Sequence, residues 1–600
     1  MPKAVIFDLL TALVDSWSLW DAAAGSKDAG HRWRSRYLEI TFGCGKYRPY
    51  EDLVRESARD TGMRDEAAAD LISNWDQLQP WPDVKDVLLL LRKRGYRLVV
   101  VTNCSIDLGR RAADRCGIAF DAVLTAEEVG YYKPQPETYH GAIAAAGVAA
   151  SDALFVAGSN GDVIGAAAAG LDVVWHNRIG LPALPGSAPL VEGKSLRETL
   201  GAWIGYQGVP RSLIPTPSVY MNRTTFTTNC QRMRQRATAL DAAFRVHIKT
   251  HKTVEGTELE LQGTEGRVIT STLKEIEHIE PLIRQGLVTS VLYGVPPPKT
   301  SLPRLAALRR KFPIEMILMV DHPSQIKQLE ERNTSEKWPI FINIDCGTRR
   351  EGIEPNSEEL AELITAALQS SRVTIHGFYC HAGHSYGSNS LEEAERHLLH
   401  EITTGRSAVE QCLSLQPDLD LTLSVGATPT AHAASSTTRE MVQSLPAKLE
   451  LHAGNFAVLD LQQVSTGLTQ LDDVASFIEA EVCSVYPKRG EVLLNIGALG
   501  IGREPGREPG VWGRAKIIGA EKEDSYPWNL VRISQEHGIM APRTDDRAEQ
   551  DRIIQGVAVG SCVRIIPQHA CIAGAMHESY LVVDEEEGEV VDEWIRCRGW

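Results

Sequence analysis

Phe244-Arg-Val-His-Ile-Lys249-Thr-His251-Lys252 ends an apolar, strand-like run with a lysine flanked by imidazoles. Loss of solvent at the end of a strand and nearby positive charge both lower the pKa of a lysine amine. The neutral amine is the form that attacks a carbonyl, so Lys249 is a candidate for a Schiff base with an aldehyde cofactor. Alone, the string also fits a solvated basic patch. The interpretation therefore depends on the segments that follow.

Three later segments each lead a strand-like run into a turn that contains glycine. They are Ile342–Ile353 with Asp345, Gly347, Arg349, Arg350 and Gly352; Leu423–Thr430 with Gly426 and Thr428; and Glu450–Phe456 with His452, Gly454 and Asn455. Glycine lets backbone N–H groups approach a phosphate closely, and hydroxyl and amide groups add further donors. Each segment alone also fits an ordinary strand-to-helix turn. Their occurrence together predicts a phosphate-bearing cofactor at the mouth of a βα-repeat.

The region from about residue 216 to the C-terminus resembles the fold-type III pyridoxal-phosphate enzymes of the D-serine dehydratase and D-threonine aldolase family. The motifs occur in the family's order: Pro215-Thr216-Pro217, His247–Lys252, Asp345–Gly352, Cys380-His381-x2-His384-Ser-Tyr386, Gly426-Ala-Thr428-Pro and Pro567-Gln-His569-Ala-Cys571. The resemblance implies an alanine racemase-like (β/α)8 TIM barrel with a C-terminal β-domain. It also implies pyridoxal 5'-phosphate on Lys249, with further contacts from Arg350, Tyr386, Gly426, Thr428, Gly454 and Asn455.

His569 and Cys571 are the candidate metal ligands. If they lie on a strand, residues i and i+2 share one face, where imidazole and thiolate can reach one ion. A lone His-X-Cys also fits a packed core pair. In the dehydratase branch of the family this pair binds zinc or another divalent cation, whereas the aldolase branch tends to carry a carboxylate there. Gln568 departs from the asparagine that is usual before the histidine.

The chemistry implied by the resemblance is β-elimination from a D-3-hydroxy amino acid. Lys249 would abstract the α-proton and the metal would polarise the 3-hydroxyl, giving a 2-oxo acid and ammonia. The alternative is retro-aldol cleavage to glycine and an aldehyde, as in a metal-dependent D-threonine aldolase, with His384 taking the hydroxyl proton. A second alternative is a pyridoxal-phosphate-binding module without turnover.

The N-terminal region resembles the haloacid dehalogenase (HAD) superfamily over residues 1 to about 182. Its ordered motifs are the strand ending at Asp8, Leu98–Cys104, Tyr132–Tyr139 with Lys133, and Phe155–Ala166 with Asp162. Phosphatases of the superfamily carry a second aspartate where this chain has Leu10, and an acidic residue where it has Gly158. Without these groups phosphoryl transfer is disfavoured. The fold class predicted for this region is an α/β Rossmannoid domain.

Trp33-Arg34 resembles the segment that carries the halide-side arginine of the haloacid dehalogenases. By that resemblance Asp8 attacks the halogen-bearing carbon of a 2-haloacid, Arg34 stabilises the halide and the carboxylate, and Asp162 helps water hydrolyse the ester. Thr102, Lys133 and Tyr139 would orient these groups. Thr11-Ala12, Ala157 and Ser159 depart from the usual residues. A degenerate, non-catalytic domain is therefore the alternative.

Composition fits a fusion of two modules without a role in nucleic-acid or membrane binding. Lys plus Arg is 62 against 78 Asp plus Glu, a net charge of −16 over 600 residues, which disfavours both partners. Eleven scattered cysteines and the absence of a signal-like or long apolar stretch favour a cytoplasmic protein. Punctuation by proline and glycine predicts a HAD-like domain over 1–182, a linker over 183–213, the barrel over 214–465 and the β-domain over 466–600. Analogy with related barrels suggests a homodimer.

Overall fold

The computed structural model describes residues 2–331, 337–519, 526–585 and 588–600. The chain divides into two compact units, Met1–Leu213 and Ile214–Trp600. Within the described residues, no helix combines the length and the apolar character needed to cross a membrane.

The first unit is an α/β fold around one parallel sheet. The strands of this unit are β1 (Ala4–Asp8), β2 (Val14–Asp15), β3 (Gln79–Pro80), β4 (Arg97–Thr102), β5 (Ala122–Thr125), β6 (Ala153–Ala157), β7 (Asp172–His176) and β8 (Glu192–Gly193). Strands β2 and β3 pair with each other, and the other six form the parallel sheet. The helices of this unit are α1 (Ser16–Ala24), α2 (Lys27–Cys44), α3 (Tyr50–Asp60), α4 (Ala67–Ser73), α5 (Val84–Lys93), α6 (Ile106–Asp114), α7 (Ala126–Val129), α8 (Pro136–Ala146), α9 (Asn160–Ala168) and α10 (Leu196–Ile204). The sheet order β5-β4-β1-β6-β7-β8 confirms the predicted Rossmannoid architecture.

Residues 183–213, predicted as a linker, differ in the structure because they complete the first unit. Strand β8 pairs with β7, and α10 buries Leu196, Leu200 and Ile204 in the core of that unit. Proline and glycine residues between 181 and 189 predict a linker. The apolar face of α10, however, must be buried against other residues, so this helix packs on the first unit.

The second unit contains a closed barrel of eight parallel strands in chain order. They are β10 (Ala243–His247), β11 (Arg267–Thr270), β12 (Ser290–Tyr293), β13 (Glu315–Val320), β14 (Trp338–Ile344), β15 (Val373–Cys380), β16 (Thr422–Val425) and β17 (Lys448–Ala453). The helices of this part are α11 (Arg223–Ala239), α12 (Val254–Leu261), α13 (Leu273–His278), α14 (Glu280–Arg284), α15 (Leu302–Lys311), α16 (Pro323–Glu330), α17 (Glu358–Gln369), α18 (Leu391–Leu415), α19 (Thr428–His432), α20 (Ser436–Val442) and α21 (Leu461–Val464). This arrangement confirms the predicted TIM barrel.

Alternating residues of the barrel strands form two separate cores. Ile269, Leu292, Ile317, Met319, Phe341 and Tyr379 form one buried cluster, while their neighbours along the strands pack toward the helices. Side-chain direction alternates along a strand, so the first set fills the barrel interior. The carboxyl ends of all eight strands meet at one rim, where functional loops collect.

A nine-stranded sheet forms the rest of the second unit and confirms the predicted C-terminal β-domain. It contains β9 (Ser218–Asn222), β18 (Ser476–Tyr486), β19 (Glu491–Leu494), β20 (Gly513–Ile517), β21 (Trp528–Ile533), β22 (Gly538–Pro542), β23 (Cys562–Pro567), β24 (Ser579–Val583) and β25 (Asp592–Ile595), with helices α22 (Ala498–Ile501), α23 (Arg547–Gln555) and α24 (Ala570–Ala575). Strand β9 precedes the barrel in sequence yet pairs with β18 and β24. The sheet therefore also includes a segment that was predicted as part of the barrel.

Gly377 allows β15 and β16 to approach closely, and its replacement provides a test of the barrel. A β-carbon at Gly377 would overlap the backbone of Thr422 on the neighbouring strand. We expect Gly377→Ala to destabilise the second unit by about 2 to 4 kcal/mol, because backbone atoms cannot yield as a side chain can. Urea unfolding followed by far-UV circular dichroism measures the change. Gly387→Ala is the control, since no atom lies within 4 Å of a β-carbon there; equal midpoints for the two variants would contradict the expectation.

Candidate active sites

A buried lysine bridges two carboxylates in the first unit. Lys133 Nζ donates to Asp8 Oδ1 at 2.6 Å and to Asp162 Oδ2 at 2.9 Å, and these side chains are at most 9% exposed. Burial by itself lowers the pKa of Lys133, but the charges of Asp162 and Asp8 outweigh it and raise that pKa. The ammonium group is thus held charged between the two carboxylates. The structure brings three of the predicted residues together at the end of β1.

Gly158 explains why this site differs from that of a phosphatase. A β-carbon at Gly158 would overlap the Ala12 amide and crowd the carboxylate of Asp8, so no acidic side chain fits there. The positive charge beside Asp8 comes instead from Lys133. Tyr139 Oη donates to Asp162 Oδ1 at 2.8 Å.

The guanidinium group of Arg34 lies at the same site as Asp8 and Lys133. Arg34 is 2% exposed, and its guanidinium stacks on Trp17 and Trp20, 5.0 and 5.4 Å from the ring centroids. One Nη donates to Thr11 Oγ1 at 3.3 Å, whereas Nε and the other Nη are buried without a hydrogen-bond partner in the described residues. Buried donors without acceptors are costly. An anionic ligand would satisfy them.

The cavity is small and polar on one side. Its volume is about 30 Å³, and it is lined by Asp8, Leu10, Thr11, Arg34, Tyr37, Leu38, Phe42, Thr102, Asn103, Lys133, Ser159 and Asp162. Thr102 donates to Cys104 Sγ at 3.3 Å rather than to Asp8. Asn103, to which no role was assigned from sequence, accepts from the Lys133 amide at 2.7 Å and donates to its carbonyl at 3.2 Å. Asn103 thereby fixes the backbone that carries the bridging lysine.

In the second unit, Lys249 follows β10 in a turn at the barrel rim. Three histidines share this rim: His247 on β10, His381 directly after β15 and His452 on β17. His247 Nε2 lies 2.9 Å from Ser271 Oγ, His381 Nδ1 lies 2.8 Å from the Gly426 carbonyl, and His452 Nδ1 lies 3.0 Å from Ser424 Oγ. The Tyr379 ring stacks on His452 at 4.2 Å. These histidines and Tyr379 were not among the predicted site residues.

The three histidines are neutral because burial lowers their pKa values. Burial is the largest cause of the lowered pKa of each imidazole, and the nearby cations act in the same direction. The pKa of His452 falls to about 3. Arg350 is half exposed and pairs with Glu351. The rim thus combines fixed cations with neutral hydrogen-bonding rings, which suits a phosphorylated aromatic ligand.

The predicted phosphate-side residues lie next to Lys249. Gly426 has a φ of 143°, and a β-carbon there would overlap the His452 carbonyl. Thr428 Oγ1 accepts from the Asn455 amide at 3.1 Å. A β-carbon on Gly454 would lie 3.6 Å from Cε of Lys249. Gly454 therefore lies against the lysine, and Thr428 is hydrogen-bonded to the residue that follows Gly454.

Tyr386 and His384 occupy one short helical turn, Gly383–Gly387, but they face different neighbours. Tyr386 is hydrogen-bonded to Thr428 and lies near Cys571, and burial raises its pKa. His384 Nδ1 lies 3.5 Å from Thr348 Oγ1, and its ring packs edge-on against His397 at 4.5 Å. The contacts described for His384 therefore do not include Lys249.

His569 and Cys571 lie at the start of a helix and not on a strand, contrary to the sequence-based expectation. Strand β23 ends at Pro567, His569 is the N-cap of α24 and Cys571 is in its first turn. The two side chains are nevertheless hydrogen-bonded to each other. Burial raises the pKa of Cys571, but His569 and Lys249 outweigh it and lower that pKa. Cys571 Sγ is 3.2 Å from Thr250 Oγ1, directly after Lys249.

Imidazole and thiolate are ligands that zinc prefers. Within the described residues, no group of three or more His, Cys, Asp or Glu side chains has the arrangement of a metal site. His569 and Cys571 supply two side chains of these types.

The C-terminal segment forms hydrogen bonds with the turn that carries Lys249. Arg596 Nε donates to the His251 carbonyl at 3.0 Å and an Nη to the Thr250 carbonyl at 3.3 Å. The Cys597 amide donates to the Lys252 carbonyl at 2.7 Å. No local signal marked Arg596, because its partners lie more than 300 residues earlier in the chain.

Family models match both units. A haloacid dehalogenase-like hydrolase model matches residues 3–170, an alanine racemase N-terminal domain model matches 221–444, and a putative serine dehydratase domain model matches 475–583. The segments matched by the last two lie in the barrel and in the nine-stranded sheet.

Curated relatives and solved structures agree with these matches. A D-serine dehydratase of Schizosaccharomyces pombe is 38% identical over 66% of this chain and 94% of its own. The haloacetate dehalogenase H-2 of Moraxella sp. is 30% identical over 30% of this chain and 87% of its own. The structure of D-threo-3-hydroxyaspartate dehydratase from Delftia sp. HT23 superposes with a TM-score of 0.56 at 26% identity, covering 65% of this chain and all of that one. Solved structures of that enzyme include alanine variants of a histidine and of a cysteine two positions later, the latter in a metal-free form.

Fold and site together define a barrel enzyme of the alanine racemase type that follows a haloacid dehalogenase-like α/β unit. The second unit belongs to the D-serine dehydratase family, and the first to the haloacid dehalogenase family. The chain is accordingly an enzyme of the lyase class with a hydrolase-type unit ahead of the barrel.

A buried acid behind the rim generates a pH prediction. Glu401 Oε1 accepts from the Ala382 amide at 2.6 Å and from the Gly426 amide at 3.2 Å. Burial raises the pKa of Glu401 to about 8. A folded-state pKa above the unfolded value gives stability at low pH that is lost as pH rises between the two values. Glutamine mimics the protonated acid and does not titrate.

We therefore expect Glu401→Gln to be more stable than wild type at pH 8 by about 3 kcal/mol. The difference should shrink toward zero near pH 5, where the wild-type acid is protonated when folded. Urea unfolding of the cofactor-free protein at the two pH values measures this. The expectation fails if the glutamine variant is less stable than wild type at pH 8, or if the difference in stability between the two proteins is the same at both pH values. Either result would show that Glu401 ionises without a cost to folding.

Proposed function

We propose that the second unit catalyses pyridoxal-phosphate- and zinc-dependent β-elimination on a D-3-hydroxy amino acid, with D-serine as the simplest substrate. The products are a 2-oxo acid and ammonia. The observation that carries the proposal is the contact of Cys571 Sγ with Thr250 Oγ1 at 3.2 Å. It brings the soft ligand pair beside Lys249, so one substrate can face both.

The residues of the rim fit the two groups. Lys249 would hold pyridoxal 5'-phosphate, and N–H and O–H groups near Gly426, Thr428, Gly454 and Asn455 would donate hydrogen bonds to its phosphate. Tyr386 and Arg350 would complete the cofactor contacts. When bound, the cofactor supplies an electron sink for negative charge at the α-carbon. His569 and Cys571 would hold zinc, which supplies a Lewis acid for the leaving hydroxyl.

The protein's own part is proton transfer and orientation. Lys249 Nζ would take the α-proton of the substrate. The imidazoles of His247, His381 and His452 are neutral. They can therefore form hydrogen bonds with the bound groups without adding positive charge that would compete with Lys249 for an anionic ligand. Stacking on Tyr379 fixes the orientation of His452.

Two features favour the dehydratase over the aldolase. Cys571 is a thiol where the aldolase branch tends to have a carboxylate, and His384 is directed toward Thr348 and His397 rather than toward the ligand pair. The names of the relatives point the same way, as D-serine and D-threo-3-hydroxyaspartate dehydratases. A metal-dependent aldolase and a non-catalytic cofactor module remain the alternatives that experiment must separate.

The first experiment incubates purified protein with D-serine, D-threonine and D-threo-3-hydroxyaspartate, with and without a chelator. We expect keto acid and ammonia as products. Metal removal should lower the rate at least about tenfold, since loss of a residue that merely orients a metal ligand already costs about 10–100-fold in metal affinity or activity. Glycine plus an aldehyde would assign the aldolase reaction. A cofactor absorbance band without any product would assign the binding module.

Substitution of the lysine tests the cofactor site directly. Lys249→Ala should lose both the visible absorbance band of the bound cofactor and the keto-acid product. Lys274→Ala is the control, because Lys274 is half exposed, pairs with Glu277 at 2.6 Å on the surface of the same helix and has no assigned chemistry. A band that persists in the first variant, or disappears in both, would remove Lys249 from its proposed role.

For the first unit we propose hydrolysis of a small 2-haloacid. A carboxylate oxygen of Asp8 attacks the halogen-bearing carbon, so an ester bond forms as halide leaves. Water then cleaves the ester with Asp162 as the base, which regenerates the Asp8 carboxylate. The unpartnered N–H groups of Arg34 carry this proposal, because halide and substrate carboxylate are the anions that would satisfy them. The small cavity, with Leu38 and Phe42 in its wall, favours a two-carbon acid.

Halide release tests this second activity. We expect chloroacetate to be dechlorinated with a higher kcat/KM than 2-chloropropionate, because the extra methyl group must displace the cavity wall. Asp8→Asn should lower kcat by about a thousandfold or more, as loss of a nucleophile does elsewhere. Asp15→Asn should keep wild-type activity, because Asp15 only caps α1. The absence of halide release from every acid in the wild-type protein would favour the degenerate domain instead.

A further inference from the structure

Asp460 is a fully buried carboxylate with three hydrogen-bond donors. It is the N-cap of α21, and its Oδ1 accepts from the Gln463 amide at 3.0 Å. Its Oδ2 accepts from Asn455 Nδ2 at 2.6 Å and from the Ala570 amide at 2.9 Å. A cap needs only the first of these bonds. The other two join segments that lie more than 100 residues apart in sequence.

Each partner of Oδ2 belongs to a different part of the site. Asn455 lies on the phosphate side, where its own amide donates to Thr428 Oγ1 at 3.1 Å. Ala570 lies between His569 and Cys571 in the sequence. One oxygen atom thus connects the turn that would hold the cofactor phosphate with the turn that carries the metal pair.

A carboxylate is required for this arrangement. It accepts at both oxygens and has no N–H group. An asparagine in its place would turn an N–H toward either the Gln463 amide or the two donors at Oδ2, and at least one buried donor would lose its acceptor. The shape of the side chain would remain while the connection was broken.

We infer that Asp460 is a positioning residue that couples the two sites, so that zinc at His569 and Cys571 tightens the binding of pyridoxal 5'-phosphate at Lys249. This inference rests on the proposed function of the second unit. With the Ala570 amide fixed by a metal-bound turn, Oδ2 is fixed as well, and Asn455 is ordered before the cofactor arrives. By linkage, the cofactor must tighten zinc by the same factor.

The test is a pair of titrations on the full chain stripped of both groups. The dissociation constant of pyridoxal 5'-phosphate is measured from its absorbance change, without zinc and with saturating zinc. The dissociation constant of zinc is measured by competition with a colorimetric chelator, without and with cofactor. For wild type we expect both constants to fall about tenfold in the presence of the other group.

Asp460→Asn should bring both factors close to one while the cofactor still binds to Lys249. Asp546→Asn is the matched control and should keep the wild-type factors, because Asp546 caps α23 through the Ala548 amide. Asn455→Ala removes the same connection from the other side and leaves the cap intact, so it should also abolish the coupling. It serves as the second variant if Asp460→Asn fails to fold.

The outcomes separate the inference from the proposed function. Coupling of wild-type size in Asp460→Asn or in Asn455→Ala would overturn the inference, as would factors of one in wild type that binds both groups. Wild-type protein that binds no zinc, or shows no cofactor band, would overturn the proposed function and the inference with it.

Discussion

The barrel closes through a buried ion pair, and the second site depends on that closure. Arg245 on β10 and Glu450 on β17 lie at the seam where the last strand meets the first. Arg245 Nε donates to Glu450 Oε1 at 2.7 Å, with both side chains at most 1% exposed. Burial raises the pKa of Glu450, but Arg245 and Arg267 outweigh it and bring the pKa to about 2. Removing one partner would leave an uncompensated charge in the interior, which is strongly destabilising.

The seam also determines which residues meet at the rim. Pairing of Val246 with Ala453 places the turn that carries Lys249 beside Gly454 and Asn455. The lysine and its phosphate-side neighbours are about 200 residues apart in sequence, and only the closed barrel makes them adjacent. The ion pair therefore serves the site through register, because a shift of the strands would separate the lysine from the donors.

Much of this could be predicted from the sequence because the motifs are local. Lys249, Gly426, Thr428, Gly454 and Asn455 each stand at the end of a strand, and the ends of parallel strands share one rim. His247, His381 and His452 stand in the segments that the sequence singled out, but no role was assigned to them because their neighbours at the rim come from distant segments of the chain. Asp460 and Arg596 were missed for a similar reason, since their contacts join distant segments.

Two sequence-based expectations were wrong for physical reasons. His569 and Cys571 were expected to share the face of a strand, but the strand ends at Pro567 and a helix brings them together instead. Residues 183–213 were expected to be a linker, yet the pairing of β8 depends on a neighbour outside its own segment. Location in the cytoplasm and assembly as a homodimer stay predictions from composition and analogy.

The two units use burial in opposite ways to set charge. In the first, the charges of Asp162 and Asp8 outweigh the burial of Lys133 and hold its ammonium group charged, while burial raises the pKa of Asp162. In the second, burial keeps the imidazoles of His247, His381 and His452 neutral, whereas Cys571 outweighs burial and raises the pKa of His569 to about 9. The proposed halide and the proposed cofactor phosphate are both anions, but the halide must leave and the phosphate must stay. Within the described residues, the donors of Arg34 without a partner suit an ion that is released, whereas attachment to Lys249 would hold the phosphate-bearing group in place.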